Sequence, residues 1–315
     1  MAGINVSALA DFNNELAGRM LMDTVYVGNT AEYVSIQEGI KYQEPLNLAS
    51  VNPYFQGGDT VSTPSGSLDF TQRNITVTKR TAYDLWNLQL LTSKYLGIAV
   101  LDPGSYEDTM NILSGLSEDL VKKAQQANDD FIWNASASGV FPGSSVTSAG
   151  DGLKFLISGS TAGVAVPAGQ TAITASTAYN QLTELVGAVD VNVKDASDLT
   201  VFCGTTVFQR IINGLTTQNL FHFDPTTVAT RGGFYEVPLP GYPNVKIVGT
   251  YGLRSSERVV VGPASDAFVG TDLLSDTTNF QMWYDINADA LKYRLRNKIG
   301  TQIGHPTYWA SNDLV

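Results

Sequence analysis

The clearest pattern of apolar and polar positions lies between Tyr106 and about Asn134. The apolar positions there fall near one stripe at the 3.6-residue period of an α-helix, namely Met110, Leu113, Leu120, Val121, Ala124, Ala127 and Phe131. A helix of about 28 residues is about 42 Å long, whereas helices of globular proteins average about 11 residues. The pattern therefore predicts one unusually long helix, with two shorter helices broken at Gly115 as the alternative.

A second pattern, typical of strands, precedes this helix. Turn-forming residues cluster at 57–59 and 64–67, and apolar and polar positions then alternate over 68–70 and 74–79. Two strands joined by a loop so rich in Gly and Ser have little core of their own. The pattern predicts a protruding β-hairpin, whose free edges are a liability in a monomer and a contact element in an assembly.

The middle of the chain changes composition before a helical pattern returns. Residues 138–175 are rich in Gly, Ser, Thr and Ala, with a β-like run at 153–157 that we interpret as part of a hairpin or ribbon. Ser176 then has the position of an N-cap for a helix. The apolar positions of that helix follow the i, i+3, i+4, i+7 rule, at Leu182, Leu185, Val186 and Val189.

Strand and helix patterns follow in quick succession after this helix. A strand is predicted at 199–203, and the next helix runs from about 205 to 213, with Gly214 beyond its end as a C-cap. Further strands are predicted at 245–248 and 258–261. This order indicates a compact α/β subdomain.

Two segments of the C-terminal third have different patterns. Residues 221–242 form a long irregular insertion, which in a compact domain indicates a contact surface or mobility. The last 50 residues are typical of long strands, at 279–286, 290–299 and 301–309, with one of the turns at Gly300. No internal repeat of 20–50 residues is visible, which excludes solenoids and propellers.

The composition of the chain adds a statement about its surface. Only 16% of the 315 residues are charged, against about 25% in an ordinary soluble domain. Few charges then need to lose their hydration when copies of the chain dock, although an extracellular β-rich protein has a similar composition. The net charge of −11 argues against a sequence-specific DNA-binding protein.

Candidate catalytic and metal-binding residues are few. Cys203 is the only cysteine and lies in an apolar run, which favours a small buried side chain over a reactive thiol. His222 and His305 are the only histidines, and no nucleophile elbow, phosphate-binding loop or zinc motif accompanies them. Residues 285–289 resemble the start of a calcium loop, but the position of its final glutamate holds Arg296. We therefore expect no enzyme, no cofactor and no metal site.

The first residues of the chain and its hydropathy indicate where the protein is located in the cell. The first residues carry neither a basic segment nor a long apolar one, so no secretory signal is expected. No apolar run approaches the roughly 18 residues of a membrane span. We expect a protein that is made in a cytoplasm, stays soluble there until it assembles, and has no contact with a membrane.

The order of these elements resembles the HK97-like fold of tailed-bacteriophage major capsid proteins. The C-terminal return carries the resemblance most specifically, in the segments Val259-Val260-Val261-Gly262-Pro263, Ala267-Phe268-Val269-Gly270-Thr271-Asp272-Leu273 and Arg294-Leu295-Arg296-Asn297-Lys298-Ile299-Gly300. The resemblance implies an α+β fold. Its parts would be an N-terminal arm at 1–43, an extended-loop region at 44–100, a peripheral domain with a spine helix at 101–175, an axial α/β domain at 176–265 and returning peripheral strands at 266–315.

The resemblance also implies a function and partners. Such subunits form hexamers and pentamers that close an icosahedral shell around double-stranded DNA, assembled in the host cytoplasm and located in the virion capsid. Portal, separate scaffolding or decoration proteins are the further partners it implies. An encapsulin-like nanocompartment shares the fold and is the alternative, and a surface adhesin or a sugar-acting β-rich enzyme would suit the composition.

Under this resemblance we expect contacts between subunits at the hairpin and at the 221–242 insertion. The predicted contact residues are Tyr54, Phe55, Gly57, Gly58, Phe70, Arg231, Phe234 and Tyr235. Aromatic residues often dominate the energetics of interfaces. For Tyr54, Phe55 and Phe70, packing within the subunit is the alternative.

Overall fold

The structure of the chain is a computed structural model. It describes residues 29–52, 66–87, 106–137, 148–218, 229–231, 234–272, 280–285 and 290–314. The helices are α1 Thr30–Tyr33, α2 Tyr106–Asn134, α3 Leu153–Leu156, α4 Ala178–Ala188 and α5 Thr205–Thr217. The strands are β1 Ser35–Gln37, β2 Gln43–Asn52, β3 Ser67–Thr76, β4 Thr78–Asn87, β5 Leu199–Gly204, β6 Ala229–Arg231, β7 Phe234–Leu239, β8 Tyr242–Thr250, β9 Val259–Pro263, β10 Ala267–Thr271, β11 Phe280–Asp285, β12 Ala290–Ile303 and β13 Ala310–Ser311.

Strand β12 is the centre of a five-stranded sheet. It pairs antiparallel with β4 along one side, and with β10 and β11 in turn along the other. Strand β1 joins β10 in parallel and forms an edge of the sheet. The two faces of β12 differ, since Leu295, Ile299 and Ile303 on one face are buried and Arg296 on the other is exposed.

A second sheet has six strands in the order β13-β9-β5-β8-β7-β6. The β5–β8 pair is parallel, and the other pairs are antiparallel. Its buried strands are nearly continuous apolar runs because both faces are covered. On one face, Val201, Ile247 and Val261 pack against residues of α4 and α5, among them Leu182, Leu185, Phe208 and Ile211.

The other face of the six-stranded sheet packs against the end of the long helix. Phe202, one residue from Val201 and so on the opposite face, lies 5.5 Å from Trp133 between ring centroids. The same core includes Ile299 and Ile303 of β12. The last turns of α2 therefore lie where the two sheets share a core, and that core fixes the sheets to each other.

Strands β2 and β3 form a separate two-stranded ribbon. They pair antiparallel along their whole length, from Gln43 opposite Thr76 to Asn52 opposite Ser67. The ribbon runs directly into β4, so it extends from the edge of the five-stranded sheet. The predicted hairpin is therefore present, with longer strands than the alternation of apolar residues indicated.

The long helix is confirmed as one element. It runs from Tyr106 to Asn134 through Gly115 without interruption, so the alternative of two shorter helices is wrong. An interior glycine costs a helix about 1 kcal/mol relative to alanine. Packing of Phe131, Ile132 and Trp133 in the shared core anchors its C-terminal end.

Two local predictions in the middle of the chain are wrong. The β-like run at 153–157 is the short helix α3, in which Leu153 and Ile157 are buried one turn apart. A run this short does not distinguish the two periods. Helix α5 continues through Gly214 to Thr217, and a Cβ at Gly214 would lie 2.5 Å from the Ala175 carbonyl oxygen. Close packing, and not the end of the helix, therefore explains this glycine.

The start of α4 also differs from the prediction. The helix begins at Ala178 with Thr177 in the N-cap position, one residue after the predicted Ser176. The Thr177 hydroxyl accepts a hydrogen bond from the Thr174 backbone N–H at 3.2 Å. That bond stabilises the turn before the helix. Ser176 and Thr177 both carry a hydroxyl suited to the N-cap position, and the sequence alone does not distinguish them.

The C-terminal third is more regular than its sequence indicates. The described part of the 221–242 insertion forms strands β6 and β7, with a turn into β8 at Gly241, whose φ is +86°. The predicted turn at Gly300 is also wrong, because β12 runs straight through it to Ile303. A Cβ at Gly300 would lie 2.1 Å from the Thr76 carbonyl oxygen, so this glycine allows the ribbon to approach the sheet.

Candidate interaction surfaces

Cys203 and His305, the candidate catalytic side chains that the structure describes, are engaged in packing and in hydrogen bonds within the fold. Cys203 is completely buried in β5, and burial raises the pKa of its thiol, which keeps it protonated. His305 Nδ1 lies 2.9 Å from Asp266 Oδ1. Asp266 Oδ2 accepts hydrogen bonds from the His305 backbone N–H and the Trp309 indole, both at 2.9 Å. Asp266 thus holds the chain in place just after β12. His222 lies outside the described residues.

The described residues offer neither a metal site nor a membrane-spanning helix. No group of three or more His, Cys, Asp or Glu side chains among the described residues is arranged to hold a metal ion. None of the described helices combines the length and the apolar character needed to cross a bilayer.

The ribbon exposes apolar side chains to solvent. Its two strands have ten residues each, a length of about 33 Å. Leu68 and Phe70 are two residues apart on β3 and lie on the same face, where they are 55% and 73% exposed. Phe70 is therefore largely exposed in the single subunit. An exposed aromatic side chain on a protruding ribbon is typical of a contact surface.

The root of the ribbon is fixed firmly to the five-stranded sheet. Ile75 and Val77 form a small buried core with Ile40. The Gln302 side-chain amide donates a hydrogen bond to the Asn74 carbonyl oxygen at 2.9 Å. Because these contacts hold only the root, the outer part of the ribbon is left available for contacts with another molecule.

The exposed face of the five-stranded sheet carries a row of cations. Alternate residues of β12 on this face are Lys292, Arg294, Arg296 and Lys298, spaced about 7 Å apart along the strand. Lys79 of β4 lies directly opposite Lys298 and adds a further charge. This concentration of positive charge contrasts with the net charge of −11 of the whole chain.

Some of this positive charge is neutralised within the sheet. Lys292 forms an ion pair with Asp285, and Lys298 forms one with Asp272. The neighbouring Arg294 donates to the neutral Gln281 amide oxygen at 2.7 Å. Lys298 is therefore compensated by Asp272, whereas Lys79 and Arg296 are exposed on this surface.

Two aromatic side chains lie among these cations. Tyr83 of β4 is 55% exposed and Trp283 of β11 is 38% exposed, with their ring centroids 6.3 Å apart. The Arg294 guanidinium carbon lies 5.5 Å from the Trp283 ring centroid. Tyr, Trp and Arg are the residues most enriched among those that dominate interface energetics. We define the outer face as Lys79, Tyr83, Trp283, Lys292, Arg294, Arg296 and Lys298.

The structure does not gather the predicted contact residues into one site. Phe70 lies on the ribbon, whereas Arg231 belongs to β6 and Phe234 to β7, which are strands of the six-stranded sheet. The pairing of Arg231 with Phe234 places both at the edge of that sheet, and Tyr235 follows in β7. The other four predictions, Tyr54, Phe55, Gly57 and Gly58, lie outside the described residues.

Sequence reasoning missed the outer face, although a signal for it is present. The segment from Lys292 to Lys298 alternates cations with other residues at the period of a strand. That pattern predicts a charged face on one strand. It does not predict that Tyr83 and Trp283 lie beside the cations, because their strands are far apart in sequence and meet only through β12.

Comparison with solved structures relates the whole chain to viral capsids. It is similar to a chain from the capsid of Myoviridae phage XM1, with a TM-score of 0.60 and 13% identity over 99% of both chains. It is similar to a chain from the capsid of the empty GTA particle, with a TM-score of 0.55 and 11% identity over 97% of this chain and 95% of that one. A chain of Mycobacterium phage Che8 gives a TM-score of 0.54 and 12% identity over 96% and 97%.

Sequence comparison adds nothing to this likeness. No protein-family model matches the chain, and no curated protein matches it. The similarity therefore lies in the arrangement of the elements, and it extends over nearly all of the chain and of the proteins compared. On this basis, the chain has the same fold as these phage and GTA chains.

Proposed function

We propose that this chain is a major capsid protein. Its copies group into hexamers and pentamers that close an icosahedral shell around double-stranded DNA. The observation that carries the proposal is the ribbon, which has no core of its own and exposes Leu68 and Phe70. The likeness in fold to chains of phage and GTA capsids supports it over nearly the full length.

In the assembled shell, the ribbon lies over a neighbouring subunit. Beyond its root, β2 and β3 pair with each other, so the outer edge of each strand presents unpaired backbone groups. Addition of a strand to such an edge supplies backbone hydrogen bonds. Burial of Phe70 and Leu68 against the neighbour supplies apolar contact, at about 25 cal/mol for each Å² removed from water.

The outer face is the surface that receives this ribbon. Between residues 45 and 72 the chain contains two carboxylates, Asp59 and Asp69, and no lysine or arginine. The outer face presents the opposite charge together with the exposed rings of Tyr83 and Trp283. Charge complementarity of this kind orients an encounter and selects the partner more than it adds affinity.

The two sheets correspond to the two domains of this fold. The five-stranded sheet with α2 is the peripheral domain, and the six-stranded sheet with α4 and α5 is the axial domain. The β6–β7 hairpin, with Arg231, Phe234 and Tyr235, points toward the capsomer axis, where copies of the same hairpin meet. Residues 1–43 form the arm that contacts neighbours.

The role is structural and not enzymatic. The groups with catalytic potential that the structure describes, Cys203 and the His305–Asp266 pair, are engaged in packing and in holding a strand end. Portal and scaffolding or decoration proteins are the other protein partners, and packaged DNA is contacted without sequence specificity. The assembly location is the host cytoplasm, and the final location is the virion.

Deletion of residues 56–66 tests the role of the ribbon. The deletion removes residues between the two strands and leaves β2 and β3 complete. The subunit is therefore expected to fold with an unchanged unfolding midpoint. Full-size shells should no longer form, as judged by electron microscopy of the purified protein. Stable, full-size shells from this variant would show that the loop between β2 and β3 takes no part in clasping a neighbour.

A further inference from the structure

Residues 29–42 cross both sheets before the ribbon begins, and we call this segment the strap. It contains α1 and β1. At its start, the Asn29 side-chain amide donates to the Gly249 carbonyl oxygen of the six-stranded sheet at 3.5 Å. At its end, the Tyr42 carbonyl oxygen accepts a hydrogen bond from the Val77 N–H at the ribbon root, at 2.9 Å. The strap therefore connects the second sheet, the first sheet and the ribbon.

The strap begins on a buried carboxylate of the long helix. Asp129 is 3% exposed, and its Oδ1 accepts a hydrogen bond from the Thr30 backbone N–H at 3.0 Å. Its Oδ2 accepts one from the Gly252 N–H at 2.8 Å, in the loop between β8 and β9. One side chain of α2 thus holds the strap with one oxygen and the six-stranded sheet unit with the other.

The Thr30 hydroxyl completes this junction. It accepts a hydrogen bond from the Trp133 indole N–H at 2.7 Å, and it also hydrogen-bonds to Asp129. If the strap lifts away, Trp133 loses its acceptor and Asp129 keeps only its bond from Gly252. Because buried polar groups without partners are unfavourable, the seat of the strap and the end of α2 are ordered together.

Further along, the strap is attached to both sheets by other contacts. The Tyr33 hydroxyl donates to Glu236 Oε2 of β7 at 3.3 Å. Strand β1 pairs in parallel with β10 of the five-stranded sheet. The N–H groups of Gly39 and Ile40 donate to the carbonyl oxygens of Asp272 and Thr271, at 2.9 and 3.1 Å.

The strap contributes little apolar burial for the number of contacts it makes. Val34 and Ile40 are its buried aliphatic side chains, at 7% and 1% exposure, and Val34 belongs to the shared core. The Tyr33 ring packs edge-on against Phe202 of that core at 6.2 Å between centroids, while much of the remaining surface of the strap is intermediate or exposed. A segment with only three side chains packed into hydrophobic cores opens at a lower free energy than the cores on either side of it. Its detachment removes the edge strand β1 and opens the small core around Ile40, while the other strands of both sheets keep their pairing.

We propose that the strap is a releasable lock that fixes the orientation of the two sheets relative to each other. While Thr30 is seated on Asp129, the strap ties the six-stranded sheet to the five-stranded sheet and to the ribbon root. When the strap lifts, its own ties between the sheets are lost and the shared core loses Val34, so the two sheets gain freedom to rotate. The rest of that core, the Arg254–Asp130 ion pair and the bond from Asn134 to the Gly252 carbonyl oxygen remain and limit the rotation. Any event that displaces Thr30 from Asp129 thus changes the angle between the sheets.

Substitution of Thr30 tests the lock on the soluble subunit. T30V removes the hydroxyl and keeps the size of the side chain, whereas T30S keeps the hydroxyl. Hydrogen exchange at the Gly39, Ile40 and Gly252 amides should be about tenfold faster in T30V, the ratio expected from loss of one hydrogen bond. Exchange at Leu185 and Ile211 in the α4–α5 core should be unchanged, and T30S should behave like the wild type.

A distance measurement tests the consequence for the sheets. Spin labels at V191C, beside the six-stranded sheet, and at T81C, on β4, report the separation of the two units, and the buried Cys203 does not react. The distance distribution should be narrow in the wild type and in T30S, and broader in T30V. Faster exchange spread equally into the α4–α5 core, or an unchanged distribution in T30V, would overturn the proposal. Both readouts use single subunits, so they are independent of shell formation.

Discussion

Gly270 of β10 and Gly300 of β12 lie directly opposite each other, and the root of the ribbon rests on this pair. A Cβ at Gly270 would lie 2.7 Å from Ile75 Cγ2, and one at Gly300 would lie 2.1 Å from the Thr76 carbonyl oxygen. The absence of two side chains thus lets the ribbon backbone approach the sheet closely. The direction in which the ribbon leaves the subunit is therefore set at these two positions.

Substitution of Gly300 by alanine should destabilise the subunit by about 1–3 kcal/mol, because the backbone of β3 must move to admit the new methyl group. The matched control is G187A in α4, where a Cβ would meet no atom within 4 Å. That control should be stabilising by a few tenths of a kcal/mol up to about 1 kcal/mol. Urea unfolding of the soluble subunits measures both, and a G300A value within about 0.5 kcal/mol of the wild type would contradict the close-packing account.

Substitution of Phe70 by glutamate should leave the subunit folded and prevent shell formation. The side chain is 73% exposed, so its loss removes little packing within the subunit. In the shell, the new carboxylate would be buried against a neighbour without a partner, which costs several kcal/mol. V191E is the control, since Val191 is 74% exposed and lies between α4 and β5 in the chain. Particle yield by electron microscopy should fall for F70E and not for V191E. Normal shells from F70E would show that Phe70 is not part of the interface.

Reversal of the charge at Arg296 should weaken assembly and reduce its dependence on salt. Arg296 is an exposed member of the outer face, so R296E should change the free energy of unfolding by about 0.5 kcal/mol or less. Screening by salt acts on attraction between exposed charges, so loss of the attraction also removes part of the salt effect. The control K122E makes the same charge change on an exposed position of α2. Light scattering during assembly measures both, and equal effects of the two variants would indicate net charge alone.

The Cys203 thiol should be inert in the native protein. Burial raises its pKa, so at pH 8 the reactive thiolate is absent, and no path to solvent is open. Thiol-specific reagents should label it only after unfolding, at a rate that follows the fraction of unfolded chain. Rapid labelling under native conditions would show that the six-stranded sheet opens locally at β5.

Long or strongly patterned segments could be predicted from the sequence, and close contacts could not. The stripe that ends at Phe131 predicted α2, and the apolar run around Val201 predicted β5, because burial imposes a period on such segments. Gly214 and Gly300 were misinterpreted as a helix end and a turn. Both are glycines because backbone from a distant part of the chain passes close by, and a local pattern contains no sign of that.

The same contrast between local and distant signals applies to the interaction surfaces. Phe70 was predicted because it lies beside a turn cluster in an alternating segment, and its exposure agrees with a contact role. The outer face depends on β12 pairing with β4 on one side and β11 on the other. This pairing unites residues some 200 positions apart in the chain, as Tyr83 and Trp283 illustrate, and no local signal specifies it.

The size of the particle formed by the purified chain tests the central claim most directly. Light scattering coupled to size-exclusion chromatography, followed by electron microscopy of the peak, gives its mass and symmetry. A shell subunit should yield capsomers or closed particles of megadalton mass, with five- and six-fold groupings of subunits. A folded chain that remains a monomer at all concentrations and salt conditions would contradict the proposal that it builds a shell.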